Sequence, residues 1–135
     1  MYEMTVTSLN IGLPRKEIIH GKEITTGIGK RPVSGAVSLG KLGFEGDGVA
    51  DTKNHGGRDK AACVYSLDYY HYWEETLGIK MPPAAFGENL TVSNLKEANV
   101  CVGDIFELGT AIVQVSQPRQ PCKTLAARLT KGEKV

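Results

Sequence analysis

The sequence has no long apolar run and no strong excess of charge of either sign. No segment approaches the roughly 18 consecutive apolar residues of a membrane-spanning helix, so we expect a protein without a membrane partner. Its 16 Lys and Arg residues nearly balance 15 Asp and Glu residues, for a formal net charge of +1. Bulk electrostatics therefore gives no reason to expect a nucleic-acid partner, and any anion site must be local.

Cysteine is also scarce. The three cysteines, Cys63, Cys101 and Cys122, cannot all pair within the chain. The first residues alternate directly into a strand pattern and lack the basic start and apolar region of a signal peptide. We therefore expect reduced thiols in a cytoplasmic protein.

The chain is instead rich in short alternating segments punctuated by 16 glycines and 6 prolines. Its length suits a single domain, residues 1–135. The pattern predicts seven or eight short strands, among them one at residues 4–11 and hairpins at 17–26 and 105–115. Strands joined by hairpins favour a mostly antiparallel sheet, and closing that sheet into a barrel would bury one face with little helical cover. The predicted fold is mainly β with one or two short helices.

Three further elements are predicted around the middle of the chain. Apolar residues at helical spacing predict a helix over residues 67–77, with Ser66 at its N-terminal cap and Gly78 ending it. Residues 33–39 are expected to form a short strand, and residues 61–65 a buried one.

A glycine-rich segment, residues 40–60, is long for a connection without regular structure, and such connections are usually functional or disordered. Near its end, Gly56 and Gly57 would let backbone N–H groups approach an anion, and Arg58 and Lys60 add positive charge. The order of residues is not that of a P-loop. A solvated turn whose glycines only supply positive φ stays open as the alternative.

Other polar residues allow two interpretations each. Asp47 and Asp51 do not have the spacing of an EF-hand, so turn capping or ion pairs to the basic loops are favoured over a bound cation. Lys30 could hold a phosphate or lie at an exposed hairpin end. Asn89, after Glu88, could donate to a heterocycle edge, or both side chains could cap backbone groups of their own loop.

Cys122 lies in the stiff segment 117–122, which contains Pro118 and Pro121 and is expected to lead from a hairpin into a short helix. The positive end of that helix, together with Arg119 and Lys123, would favour a thiolate. A metal-ligating or nucleophilic cysteine and an inert buried one are both consistent with the local sequence.

Six motifs in this order resemble the MOSC domain, named for the C-terminus of the molybdenum-cofactor sulfurase. The resemblance runs from about residue 6 to 129 and is greatest to the small bacterial type linked with resistance to 6-N-hydroxylaminopurine. The motifs are residues 26–30 (TGIGK), 46–51 (GDGVAD), 55–61 (HGGRDKA), 86–90 (FGENL), 102–104 (VGD) and 117–122 (QPRQPC).

The resemblance implies a β-barrel and a molybdenum–pterin cofactor (molybdopterin), with the thiolate of Cys122 as the ligand to molybdenum and the catalytic residue. A soft thiolate suits such a metal centre. The cofactor-binding set implied in the same way is Lys30, His55, Gly56, Gly57, Arg58, Lys60, Asn89, Asp104 and Arg119.

The implied function is a molybdenum-dependent oxidoreductase that reduces N-hydroxylated compounds, with a separate protein as electron donor. The alternative is a carrier of persulfide sulfur or of the cofactor, without reductase activity of its own. Family members usually continue past the helix that follows the cysteine, whereas this sequence ends at Val135. Three expectations follow. The barrel is open, or a partner chain such as a second copy in a homodimer completes it, or the polypeptide is truncated.

Overall fold

The computed structural model describes residues 3–19, 21–26, 29–48 and 57–118. These residues form ten strands, one α-helix and two short 3₁₀ turns. The strands are β1 (Thr5–Ile11), β2 (Arg15–Ile19), β3 (Lys22–Thr26), β4 (Arg31–Val33), β5 (Leu39–Gly40), β6 (Gly43–Phe44), β7 (Val64–Ser66), β8 (Leu90–Ser93), β9 (Ile105–Leu108) and β10 (Ala111–Gln114). The helix α1 is Asp68–Leu77, and the 3₁₀ turns are Arg58–Lys60 and Glu97–Asn99.

A four-stranded sheet in the order β4-β1-β8-β7 is the centre of the described fold. β1 pairs antiparallel with both of its neighbours, so that Leu9 lies opposite Val33 on one side and Leu90 on the other. β7 runs parallel to β8 at the edge of the sheet. The register between β1 and β8 shifts between Val6 and Ser8, as a β-bulge produces.

Three separate two-stranded ribbons, β2–β3, β5–β6 and β9–β10, complete the described strands. All three are antiparallel, which confirms a mainly β, mostly antiparallel fold with one α-helix. The described strands do not close into one hydrogen-bonded ring, so the barrel stays a prediction. Among the described residues, no helix is both long and apolar enough to cross a membrane.

The helix α1 lies where the apolar spacing predicts it, beginning at Asp68. The Ser66 hydroxyl accepts a hydrogen bond from the Asp68 N–H at 3.2 Å. At the other end, Gly78 has the left-handed φ of 67° and its N–H donates to the Glu74 carbonyl. Tyr70 is buried on the inner face of the helix, and Trp73 and Leu77 pack beside it.

Two apolar clusters form the core, and the segment before and within β8 contributes to both. Ala85 and Phe86 pack with Tyr70 in the first cluster. Leu90 and Val92 pack with Phe44 in the second. The polar residues Glu88 and Asn89 lie between these apolar pairs along the chain, and both are buried. Core packing therefore forces two polar side chains into the interior, where they need hydrogen-bond partners.

The prediction of a strand at residues 33–39 is wrong. β4 ends at Val33, and regular pairing resumes only at Leu39. Gly35 has a φ of 83°, a left-handed value outside the strand region, and residues 34–36 are exposed. Because residues 34–36 bury no side chain and have a left-handed residue in their centre, they cannot continue the strand.

The buried strand predicted at residues 61–65 is displaced towards the C-terminus. The observed strand β7 is Val64–Ser66, and the Val64 side chain is 44% exposed. The bounds of the strand follow from its parallel pairing with β8, in which Val64 lies opposite Leu90 and Ser66 opposite Val92.

Candidate cofactor site

The carboxylate of Asp47 accepts hydrogen bonds from three separate segments of the chain. Its Oδ1 accepts hydrogen bonds from Lys30 Nζ at 2.8 Å and from the Gly12 N–H at 2.9 Å. Its Oδ2 accepts one from Asn89 Nδ2 at 2.9 Å. The side chains of Lys30 and Asp47 are only 6% and 7% exposed, so this is a buried ion pair. Asp47 therefore has the ion-pairing and capping role that the sequence favoured over cation binding.

Asn89 joins this ion pair to the central sheet. Its Oδ1 accepts a hydrogen bond from the Cys63 N–H at 2.9 Å, and its Nδ2 also donates to the Asn10 carbonyl at 3.2 Å. Backbone hydrogen bonds link the same residue to Asn10 and Cys63. Both amide hydrogens of Asn89 are thus bonded within the protein. The prediction that this side chain caps its own loop is therefore wrong: the backbone groups that it caps belong to the segments of Asn10 and Cys63, far away in the sequence.

Close packing of two backbone segments places Lys30 beside Asp47. A Cβ atom added to Gly12 would lie 3.0 Å from the Gly29 carbonyl oxygen and 3.2 Å from the Lys30 Cα. These atoms belong to the backbone and cannot turn away as a side chain would. Gly12 is consequently needed for the approach that brings Lys30 over the carboxylate.

A second polar network surrounds Glu88, whose side chain is completely buried. Its Oε2 accepts hydrogen bonds from the Tyr70 hydroxyl at 2.5 Å and the Thr91 hydroxyl at 2.9 Å. Its Oε1 accepts one from the Phe86 N–H at 3.1 Å, which is the predicted capping of its own loop. Burial, and then the hydrogen bond and charge of Glu88, raise the pKa of Tyr70 well above its ordinary value.

Asn10 connects the two networks from β1. Its Nδ2 donates to the Glu88 carbonyl and to the Thr91 hydroxyl, both at 3.2 Å. Its Oδ1 accepts a hydrogen bond from the Ser8 hydroxyl at 2.6 Å. In the part of the chain that the structure describes, every buried side-chain nitrogen and oxygen has a hydrogen-bond partner. The polar interior is therefore fully satisfied and can hold its neighbours rigidly.

The predicted anion cradle is described from Gly57 onward. Gly57 has a φ of 95°, and an added Cβ would meet no atom within 4 Å. Arg58 and Lys60 are exposed on the 3₁₀ turn that follows. This turn is close to the buried networks along the chain, since Cys63 bonds to Asn89 three residues after Lys60. His55 and Gly56 lie outside the described residues.

Asp104 lies in a different environment, at the base of the β9–β10 ribbon. Its Oδ2 accepts a hydrogen bond from the Cys101 N–H at 2.8 Å, and its carbonyl accepts one from the Val115 N–H at 2.9 Å. The carboxylate therefore stabilises a turn. Beside this turn is an open concavity of about 390 Å³, lined by Val102, Gly103, Gln114, Val115, Ser116 and Gln117.

The structure thus brings two of the predicted site residues, Lys30 and Asn89, to a common partner. The Asp104 carboxylate instead accepts a hydrogen bond from the Cys101 N–H. Arg119 and Cys122 lie outside the described residues, and their predicted roles stay predictions. No group of three His, Cys, Asp or Glu side chains within residues 3–19, 21–26, 29–48 and 57–118 is arranged to hold a metal ion.

Sequence reasoning missed the buried role of Asn10. The signal was a change of phase in β1: Met4 and Val6 are apolar at even positions, whereas Leu9 and Ile11 are apolar at odd positions. Such a change indicates a β-bulge, after which Asn10 lies on the face of β1 opposite Leu9 and Ile11; that face is buried too, against Glu88 and Thr91.

Residues 51–135 match the family model described as the MOSC domain, and they make up more than half of the chain. The chain belongs to the MOSC domain family. The resemblance seen in the six sequence motifs is thereby confirmed.

Relatives of this MOSC domain include bacterial and fungal proteins. The chain is 56% identical over 131 residues to YflK of Bacillus subtilis (strain 168), described as uncharacterized, with 97% of this chain and 59% of that protein covered. A protein of Gibberella moniliformis named reductase is 38% identical over 116 residues, covering 80% of this chain and 20% of that protein. The crystal structure of YiiM from Geobacillus stearothermophilus is similar at a TM-score of 0.71 and 43% identity, covering 93% of this chain and 56% of that one. This MOSC domain spans between a fifth and three fifths of the length of these relatives.

Proposed function

We propose that this MOSC domain binds a molybdenum–pterin cofactor and reduces N-hydroxylated compounds at a molybdenum ion ligated by Cys122. The observation that carries the proposal is the meeting of Lys30, Asp47 and Asn89. Lys30 and Asn89 belong to two motifs, far apart in the sequence, that the family resemblance assigns to the cofactor, and Asp47 joins them. A relative named reductase supports the reaction class.

The described residues fit a cofactor that carries a phosphate. Gly57 exposes its backbone because nothing lies within 4 Å of where a Cβ would be. Arg58 and Lys60 present two positive charges on the adjoining turn. An approachable backbone with neighbouring cations is the chemistry that binds phosphate groups.

The proposed ligand to molybdenum is Cys122, on the basis of the sequence motif and its chemistry. Cys122 follows Pro118, the last described residue, by four positions. A thiolate is the protein ligand that a soft metal centre prefers. His55, Gly56 and Arg119 complete the proposed binding set outside the described residues.

When bound, the cofactor would supply the two-electron chemistry that removes oxygen from an N–O group. The protein would hold the phosphate at the Arg58–Lys60 turn and keep that turn in place through Cys63 and Asn89. Reduction of an N–OH group to N–H and water takes two electrons and two protons. We therefore propose an electron-donor protein as a partner, and a cytoplasmic location where such thiols stay reduced.

Metal analysis of protein made in a host that synthesises the cofactor tests the binding. The parent should contain stoichiometric molybdenum, and Cys122→Ala should lose it. Cys101→Ala is the matched control, because Cys101 is an exposed thiol in the turn held by Asp104. Loss of molybdenum in both variants, or its absence from a well-folded parent, would contradict the proposal.

Two further readouts separate the reductase from the sulfur carrier. The loaded protein with an artificial electron donor should convert 6-N-hydroxylaminopurine, and the Cys122→Ala variant should not. A reducible adduct of about 32 Da on Cys122, in protein without molybdenum, would instead identify a persulfide carrier.

A further inference from the structure

We propose that Asp47 is a positioning residue of the cofactor site, and that Lys30 acts through Asp47 as its counter-ion instead of holding the cofactor phosphate directly. This inference rests on the proposed function, because its readout is retention of the cofactor. It assigns a role to Asp47 and changes the role that the sequence predicted for Lys30.

The surroundings of Lys30 favour a role as the counter-ion of Asp47. Its ammonium group is 2.8 Å from Asp47 Oδ1, and its side chain is 6% exposed. The positive charge is therefore already compensated by a buried negative one. An external phosphate would have to displace that carboxylate, or share its cation with it inside the protein, where an uncompensated charge is costly.

The surroundings of Asp47 favour a positioning role. Its two carboxylate oxygens accept hydrogen bonds from Gly12, Lys30 and Asn89, which lie after β1, before β4 and before β8. All three partners are donors, so only a group with two acceptor oxygens satisfies them together. An asparagine has one such oxygen and would turn its amide hydrogens towards at least one of these donors.

Hydrogen bonds and close packing connect Asp47 to the exposed Arg58–Lys60 turn. Asn89 Nδ2 is bonded to Asp47, and its Oδ1 holds the Cys63 N–H. Gly43, four residues before Asp47, packs so closely that an added Cβ would lie 3.0 Å from the Ala61 carbonyl oxygen. Ala61 directly follows the Arg58–Lys60 turn, and Cys63 lies two residues later. A change at Asp47 should consequently alter the position of that turn.

The test is the rate of cofactor release from four proteins: the parent, Lys30→Met, Asp47→Asn and the double variant. Release is measured at a temperature where thermal unfolding shows every variant to be folded, so that a loss of global stability does not contribute. We expect each single substitution to speed release several-fold. In the Asp47→Asn background, Lys30→Met should cause no further acceleration, because the cation has then lost its partner. Lys80→Met, at an exposed position, is the control for the loss of a lysine.

Direct binding of the phosphate by Lys30 gives a different result. Lys30→Met would then speed release by the same factor in both backgrounds, and that outcome would overturn the inference alone. Unchanged release from Asp47→Asn would also overturn it. A folded parent that contains no molybdenum would overturn the proposed function and this inference together.

Asn89→Asp is a second route if the Asp47→Asn protein does not fold. The introduced carboxylate would face Asp47 Oδ2 across the present 2.9 Å hydrogen bond. Two carboxylates at that distance can share a proton at acid pH but repel each other when both are ionised. We therefore compare the rate of cofactor release from Asn89→Asp with the rate from the parent. The ratio of the two rates should be several-fold lower at pH 5 than at pH 7. A ratio that does not change with pH would contradict the positioning role.

Discussion

The hydroxyl of Tyr70 donates a 2.5 Å hydrogen bond to the carboxylate of Glu88, and this carboxylate is completely buried. The same hydroxyl accepts a hydrogen bond from the Ala85 N–H at 3.2 Å. Helix α1 is thereby attached to the loop that leads into β8, the loop that also contains Asn89. The position of Asn89, and with it that of the candidate site, thus depends on the hydrogen bond between Tyr70 and Glu88.

Tyr70→Phe should destabilise the protein by about 1.5–3 kcal/mol, because it removes a donor from a buried charged acceptor. Tyr72→Phe is the matched control, since the Tyr72 side chain is 59% exposed on the same helix. Urea unfolding of the two variants measures the difference in free energy. Equal stability of the two variants would show that the Tyr70–Glu88 hydrogen bond contributes little.

The stability of the parent should fall at alkaline pH. Burial first, and then Glu88, raise the pKa of Tyr70, and burial also raises that of Tyr65. A raised pKa in the folded state gives stability that is present below the ordinary tyrosine value near 10 and is lost as pH rises above it. For Tyr70 this loss should approach about 1.4 kcal/mol per pH unit where the hydroxyl is ionised in the unfolded state and still protonated in the folded one.

Urea unfolding between pH 8 and pH 11, together with tyrosinate absorbance, checks this dependence. The Tyr70→Phe variant should show a shallower loss of stability than the parent above pH 10. An identical slope in the two proteins would mean that Tyr70 ionises in the folded state as it does in the unfolded one.

Gly12→Ala should lower stability by about 1–3 kcal/mol, because the new methyl group would press on the backbone at Gly29 and Lys30. Gly40→Ala is the comparison, since its Cβ would lie at an ordinary 3.7 Å from the Gly43 carbonyl oxygen. Thermal unfolding of both variants measures the effect. A larger loss in Gly40→Ala than in Gly12→Ala would contradict the close approach that places Lys30.

The double substitution Arg58→Gln with Lys60→Gln should speed release of the cofactor several-fold and change the unfolding free energy by less than about 1 kcal/mol, as is usual at exposed positions. Release should also become less sensitive to salt, because two charges that attract the phosphate are gone. Lys80→Gln with Lys96→Gln removes the same charge from other exposed positions. If the control pair speeds release equally, net charge and not the Arg58–Lys60 turn determines retention.

Local patterns were sufficient to predict several elements of the fold. The apolar spacing that ends in Gly78 predicted α1, and the two hairpins lie where β-branched runs flank a glycine turn. In these elements the deciding interactions are between residues close in sequence. The prediction of a strand at residues 33–39 was wrong because pairing stops after Val33, close to the left-handed Gly35, and alternation alone does not show such a break.

The candidate site was predicted in part. The ordered motifs identified the family and named Lys30 and Asn89, but they did not indicate that both side chains turn inward to Asp47. Nor did they reveal Glu88 as the centre of a buried network, since a carboxylate beside a glycine is equally typical of an exposed loop.

The sequence by itself determined which residue types are present, the local elements and the family. Only the tertiary structure decided which charged side chains are buried and which are exposed. Lys30 and Lys60 both follow glycine-containing segments, yet Lys30 is buried against a carboxylate and Lys60 faces solvent. The physical reason is that burial and charge pairing depend on contacts such as that of Gly12 with Gly29, made between segments far apart in the chain.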